Sequence, residues 1–137
     1  KKGNKSLPLT HIDMTRFFIT LNDAVSFIFN VTKTMKGGEI FVPKMNSIYI
    51  KDLIKLLNPN IKIKIIGTRP GEKIHEILCS KDETRILYEQ KNNYIIFPDH
   101  FLRKNRYGKK VKSNFVYTSN LKSCLSPNKI SKLIKSI

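Results

Sequence analysis

The stretch Ile63-Lys64-Ile65-Ile66-Gly67-Thr68-Arg69-Pro70-Gly71-Glu72-Lys73-Ile74-His75-Glu76 joins an apolar run, a stiff turn and a helix-compatible tail. The run from Ile63 to Ile66 stops at Gly67, so a strand delivers the turn. Pro70 sets its own φ and Gly71 permits an unusual one, which lets the turn hold a defined shape. Arg69 offers a planar fork of donors that suits phosphate. Glu72, three residues on, offers acceptors that suit hydroxyls. Two readings are open at this point. The turn is an anion clamp beside a diol clamp, as a nucleotide sugar requires, or it is an ordinary surface turn with an ion pair.

Working back from the turn, Ile61 to Ile66 alternates with Lys62 and Lys64, as a half-exposed strand does. Pro59 closes a helix predicted over Ile48–Leu57, with Ser47 as its cap. Glu39–Val42 is a short apolar strand halted by Pro43, of the kind found in parallel sheets covered on both faces. Thr20 with Asp23 is a weak capping box for a helix running to about Met35, ended by Gly37-Gly38. Phe17–Ile19 and Leu7–Thr10 read as short strands.

Forward from the turn, Ser80-Lys81-Asp82-Glu83 is a capping box for a short helix through about Tyr88. Tyr94–Phe97 is a strand ended by Pro98. Residues 99–114 read as a long basic loop, and Phe115–Tyr117 as a last strand. Ser126-Pro127 starts a final helix. This alternation of strands and helices indicates the α/β class. The strands are few for a sheet covered on both faces, which hints at a further segment.

The chain has 137 residues, a 40% hydrophobic content and a formal net charge of +16, so it is long enough for a folded domain. Of its 26 basic residues only five are Arg, and the lysines are scattered. That pattern is a solubility device or a basic nucleic-acid-binding module. With no nucleic-acid motif and no long basic block, nucleic acid is the lesser reading. Two cysteines make no disulfide framework and suggest a reducing compartment, the cytoplasm. No apolar run spans a membrane, no signal peptide is visible, and the chain does not begin with Met.

No glycine spacing matches a dinucleotide loop or a P-loop, and none of the five tyrosines is followed four residues later by Lys. His75 and Cys79, one helical turn apart if helical, have no second pair to complete a metal site, so the structural reading is preferred. His11 and His100 read as surface or packing residues. No catalytic or metal-binding residue is therefore expected within this chain.

Five stretches taken together resemble a known family: Leu7–Thr10, Met14–Phe17, Ile19–Val25, Gly37–Lys44 and Gly67–Glu76. In this order they look like the C-terminal part of the inverting UDP-N-acetylglucosamine 4,6-dehydratases, within the extended short-chain dehydrogenase/reductase family. Asn114–Asn120 and the final helix are similar to the members that begin pseudaminic acid synthesis.

The resemblance implies an α/β fold made of the end of a Rossmann sheet (residues 1–44) and a small α/β substrate-binding domain (residues 45–137). It implies a UDP-sugar, UDP-N-acetylglucosamine, as substrate, with Arg16 and Arg69 on the pyrophosphate and Glu72 on the uridine ribose. In the complete enzyme, a homo-oligomer, NADP is bound by an N-terminal Rossmann half that this chain lacks. The family oxidises the sugar at carbon 4, eliminates water across carbons 5 and 6, and returns the hydride to carbon 6. The chain alone is then expected to be inactive, and a non-functional fragment of a split gene is a further reading.

Overall fold

A computed structural model describes residues 6–98, 107–120 and 124–135. It is mixed α/β, with short strands, three α-helices and one 3₁₀ turn. Contacts group the chain into two units, each assembled from separated segments.

The first unit comprises residues 1–18, 46–76 and 119–137. Strand β1 (Ser6–Leu9) pairs in parallel with β5 (Lys62–Ile65), Leu7 opposite Ile63 and Leu9 opposite Ile65. Strand β2 (Thr15–Phe18) pairs antiparallel with β4 (Asn46–Tyr49), Arg16 opposite Ile48. Helix α2 (Ile50–Leu57) follows β4 directly and packs against α3 (Pro127–Lys135). The core joins Leu9, Met14 and Ile54, with Ile50, Ile61 and Ile63 around them.

The second unit comprises residues 19–45 and 77–118. Helix α1 (Leu21–Thr32) starts as its cap predicts: the Thr20 hydroxyl accepts from the Asp23 N–H at 3.1 Å. Strand β3 (Ile40–Pro43) lies at one edge of a four-stranded antiparallel sheet with β8 (Asn93–Ile96), β7 (Leu87–Glu89) and β9 (Lys109–Lys110). Tyr88, Ile95 and Phe97 form its core, flanked by Phe41 and Tyr107. Strand β6 (Ile77–Cys79) pairs antiparallel with β10 (Tyr117–Thr118).

Several expectations change. Ser47 is not a helix cap: it lies within β4, fully buried, 3.2 Å from the Cys124 Sγ, and α2 starts at Ile50 with no side-chain cap. The β2 ladder supplies the backbone partners that a capped helix start would otherwise need.

Strand β3 is antiparallel to β8, not part of a parallel sheet covered on both faces, because the β7–β8 hairpin presents its edge to it. The Ser80–Glu83 capping box forms, but it opens only one 3₁₀ turn, Lys81–Arg85. Leu87 and Tyr88 leave the helix to pair with Ile96 and Ile95, where both side chains are buried. The basic stretch 99–114 lies partly outside the described residues, and Lys109–Lys110 within it form β9 against Tyr88 and Glu89. Helix α1 ends at Thr32 rather than near Met35, with Val31 O accepting from both Thr34 and Met35.

The tail after the turn is not helical. Ile74 O accepts from Thr15 N, Glu76 O accepts from Ser119 N, and Cys79 sits in β6. Those cross-chain bonds replace the i to i−4 ladder, so His75 and Cys79 do not share a helix face. Among the described residues no group of three or more His, Cys, Asp or Glu side chains could hold a metal.

Candidate functional site

The turn after β5 is built by its own residues. Glu72 N donates to Arg69 O at 3.0 Å, and Gly71 has φ +79°. Pro at the second position, Gly with positive φ at the third and a bond from first to fourth make a type II turn. The Glu72 side chain closes the same turn from outside, its Oε2 accepting the Arg69 N–H at 3.0 Å. Its other oxygen, Oε1, accepts from the Thr10 hydroxyl at 3.1 Å, which ties the turn to the end of β1. Two of about four acceptor positions on the carboxylate are then used, and two stay available.

The Arg69 N–H holds the Glu72 carboxyl below its ordinary value of 4.5. Desolvation opposes this, while the Thr10 hydroxyl and the charges of Arg69 and Arg16 add smaller contributions in the same direction as the N–H. Both guanidiniums therefore act on one carboxylate. The Arg69 guanidinium is exposed and makes no hydrogen bond or ion pair among the described residues.

Arg16 is held differently. It leaves β2 half-buried, and its Nη1 donates to Thr15 O at 2.7 Å and Ile74 O at 3.1 Å. Its Nε faces Glu76 Oε1 at 3.2 Å. With Nη1 and Nε engaged, only the Nη2 edge remains for another acceptor.

Behind Arg16 lies a polar cluster that the sequence did not announce. Thr15 Oγ1 sits 2.8 Å from His75 Nδ1 and 2.7 Å from Ser119 Oγ. Ser119 Oγ accepts from Glu76 N at 2.8 Å and lies 3.3 Å from Thr15 O, which its hydrogen can reach as an alternative to Thr15 Oγ1. Thr15 and Ser119 are 0% exposed. An isolated Thr or Ser in a sequence carries no signal for this, because the partners lie up to 104 residues apart.

All three residues expected from the sequence, Arg16, Arg69 and Glu72, thus lie in the first unit. Thr10, Thr15, His75, Glu76 and Ser119 join them. The residues before α1, α2 and α3 are Thr20, Tyr49 and Ser126, and no glycine-rich loop opens any of these helices.

Residues 1–98 match the family described as polysaccharide biosynthesis protein. The chain belongs to that family. It is 44% identical over 129 residues to a UDP-N-acetylglucosamine 4,6-dehydratase (inverting) of Campylobacter jejuni, covering 87% of this chain and 39% of that protein. It is 39% identical to an uncharacterized membrane protein of Methanocaldococcus jannaschii, covering all of this chain and 42% of the relative. Among solved structures it is similar to Pen from Bacillus thuringiensis, with TM-score 0.80 and 32% identity, covering 98% of this chain and 41% of that one.

The chain of this polysaccharide biosynthesis family member therefore spans about two fifths of these relatives. The α/β fold expected from the sequence agrees with the likeness to Pen. No helix among the described residues is long and apolar enough to cross a membrane.

Proposed function

We propose that this chain binds the uridine diphosphate part of a nucleotide sugar, UDP-N-acetylglucosamine, as the substrate-binding portion of a 4,6-dehydratase of polysaccharide biosynthesis. The observation that carries the reading is the Arg69–Glu72 turn: an unengaged guanidinium beside a carboxylate that keeps two acceptor positions. Arg69 supplies the planar fork for the diphosphate, the Nη2 edge of Arg16 supplies a second cation, and Glu72 accepts the ribose hydroxyls. Support for the substrate class comes from the likeness to the UDP-N-acetylglucosamine 4,6-dehydratase (inverting) of Campylobacter jejuni.

On this reading residues 1–44 belong with the cofactor-binding domain and residues 45–137 with the substrate domain. NADP is held by a segment other than these residues, in a cytoplasmic homo-oligomer. When bound, the dinucleotide would take up the hydride from the sugar and later return it. This chain's residues bind and orient the diphosphate and ribose.

Calorimetric titration of the chain with UDP, uridine and inorganic diphosphate tests the assignment. Arg69→Ala is expected to weaken UDP and diphosphate about tenfold or more, as lost charge-assisted bonds do. Glu72→Gln is expected to weaken UDP and uridine and to spare diphosphate. UDP affinity unchanged by Arg69→Ala sinks the clamp.

A further inference from the structure

We propose that His75 is a positioning residue of the clamp, acting through the buried Thr15 and Ser119 hydroxyls to set the seat of Arg16. It extends the UDP-binding reading above and rests on it for its functional meaning.

The argument is one of hydrogen counting. Thr15 Oγ1 carries a single hydrogen and faces two partners, His75 Nδ1 at 2.8 Å and Ser119 Oγ at 2.7 Å. Ser119 Oγ also carries one hydrogen, and already accepts from Glu76 N. Only two arrangements satisfy both hydroxyls. If Nδ1 is an acceptor, Thr15 donates to His75 and Ser119 donates to Thr15. If Nδ1 carries a proton, Thr15 accepts from it, donates to Ser119, and Ser119 must turn its hydrogen to Thr15 O at 3.3 Å.

That carbonyl is the one Arg16 Nη1 holds at 2.7 Å. In the first arrangement Arg16 has Thr15 O to itself. In the second, Arg16 shares it with Ser119. The tautomer of His75 thus decides how firmly the backbone grips the guanidinium. Glu76, whose N–H binds Ser119 and whose carboxylate faces Arg16 Nε, takes part at both ends of the chain of bonds. The two hydroxyls are fully buried, so water cannot stand in for a lost partner without opening the cluster. Among the described residues His75 is the titratable side chain bonded to either hydroxyl, and it is only partly buried.

Nuclear magnetic resonance of the full chain without ligand tests the relay, reading the Arg16 Nε–H resonance and the two ring nitrogens of His75. In the wild type the ring nitrogens are expected at positions of a single tautomer. A ring averaging between tautomers overturns the proposal, and this measurement needs no variant. His75→Ala and Thr15→Val are expected to shift the Arg16 Nε–H resonance. His75→Asn, whose side-chain oxygen can replace the Nδ1 acceptor, is expected to restore it. An unmoved Arg16 resonance in folded His75→Ala overturns the proposal.

In parallel, His75→Ala is expected to weaken UDP about tenfold and His75→Asn to recover most of that loss. UDP affinity lost on Arg69→Ala but indifferent to His75→Ala overturns the relay while leaving the clamp. UDP affinity indifferent to Arg69→Ala sinks the clamp, and the ligand-free Arg16 and His75 resonances still decide the relay.

Discussion

The Thr10 hydroxyl donates to Glu72 Oε1 at 3.1 Å, joining residues 62 apart in the chain. This bond fixes the outer face of the Arg69–Glu72 turn to the end of β1. It also makes Thr10 part of whatever the carboxylate does.

The first expectation concerns pH. Glu72 titrates below its ordinary value of 4.5, chiefly because the Arg69 N–H binds the charged form. A depressed folded pKa means that the ionised carboxylate's contribution is present above 4.5 and is lost as pH falls through the folded value. Thr10→Val removes one of the bonds to the charged form, so the Glu72 midpoint should move up toward 4.5. Carbon-detected titration of the side-chain carboxylates reads it directly. A midpoint that ignores Thr10→Val separates Thr10 from the site.

Ser47 distinguishes a helix cap from a buried strand residue. As a cap it would tolerate Asp. Buried in β4, 3.2 Å from Cys124 Sγ, it should not. Ser47→Ala is expected to cost about 1 kcal/mol, and Ser47→Asp about 3 kcal/mol or more, because the carboxylate would be desolvated. Urea denaturation measures both, and equal stability of Ser47→Asp and wild type would restore the cap.

Two glycines should differ in what alanine does. Gly71 has φ +79° with nothing within 4 Å of an added Cβ, so Gly71→Ala carries only the backbone term, about 1 kcal/mol. At Gly108, φ is +101° and the Cβ would meet Glu89 O at 2.8 Å, a backbone atom held in the β7–β9 pairing. Gly108→Ala should cost about 3 kcal/mol by adding that clash to the same strain. Denaturant midpoints that fall in the opposite order contradict this.

The cysteines should react in order of access. Burial, with a smaller contribution from the Glu83 charge, pushes the Cys79 thiol up to about 12, so it stays protonated and covered at neutral pH. Cys124 is partly exposed. A thiol reagent at pH 8 should label Cys124 at least about tenfold faster than Cys79, which becomes reactive only on unfolding. Peptide mass spectrometry assigns the label.

Much of the local structure could be read from neighbours in sequence. Pro70 and Gly71 determined the turn, because their φ preferences are intrinsic and need no partner. Thr20 with Asp23 and Ser80 with Glu83 determined two helix starts, since a cap and its recipient lie three residues apart. The alternation through Ile61–Ile66 determined a strand. Arg69 and Glu72 stood out for the same reason, as chemistry presented by a turn whose shape is local.

What the tertiary structure decided lies across long stretches of chain. Ser47 turned inward because β2 was there to pair with β4. The tail after Glu72 gave up its helix because Thr15 and Ser119, 60 and 43 residues from their partners, take its backbone and ring groups. Arg16 entered only through the resemblance, as a pyrophosphate contact, and the fold engages two of its nitrogens with Thr15 O, Ile74 O and Glu76. A side chain's donors and acceptors are assigned by whatever the topology brings within about 3 Å, and local propensity carries no information about that.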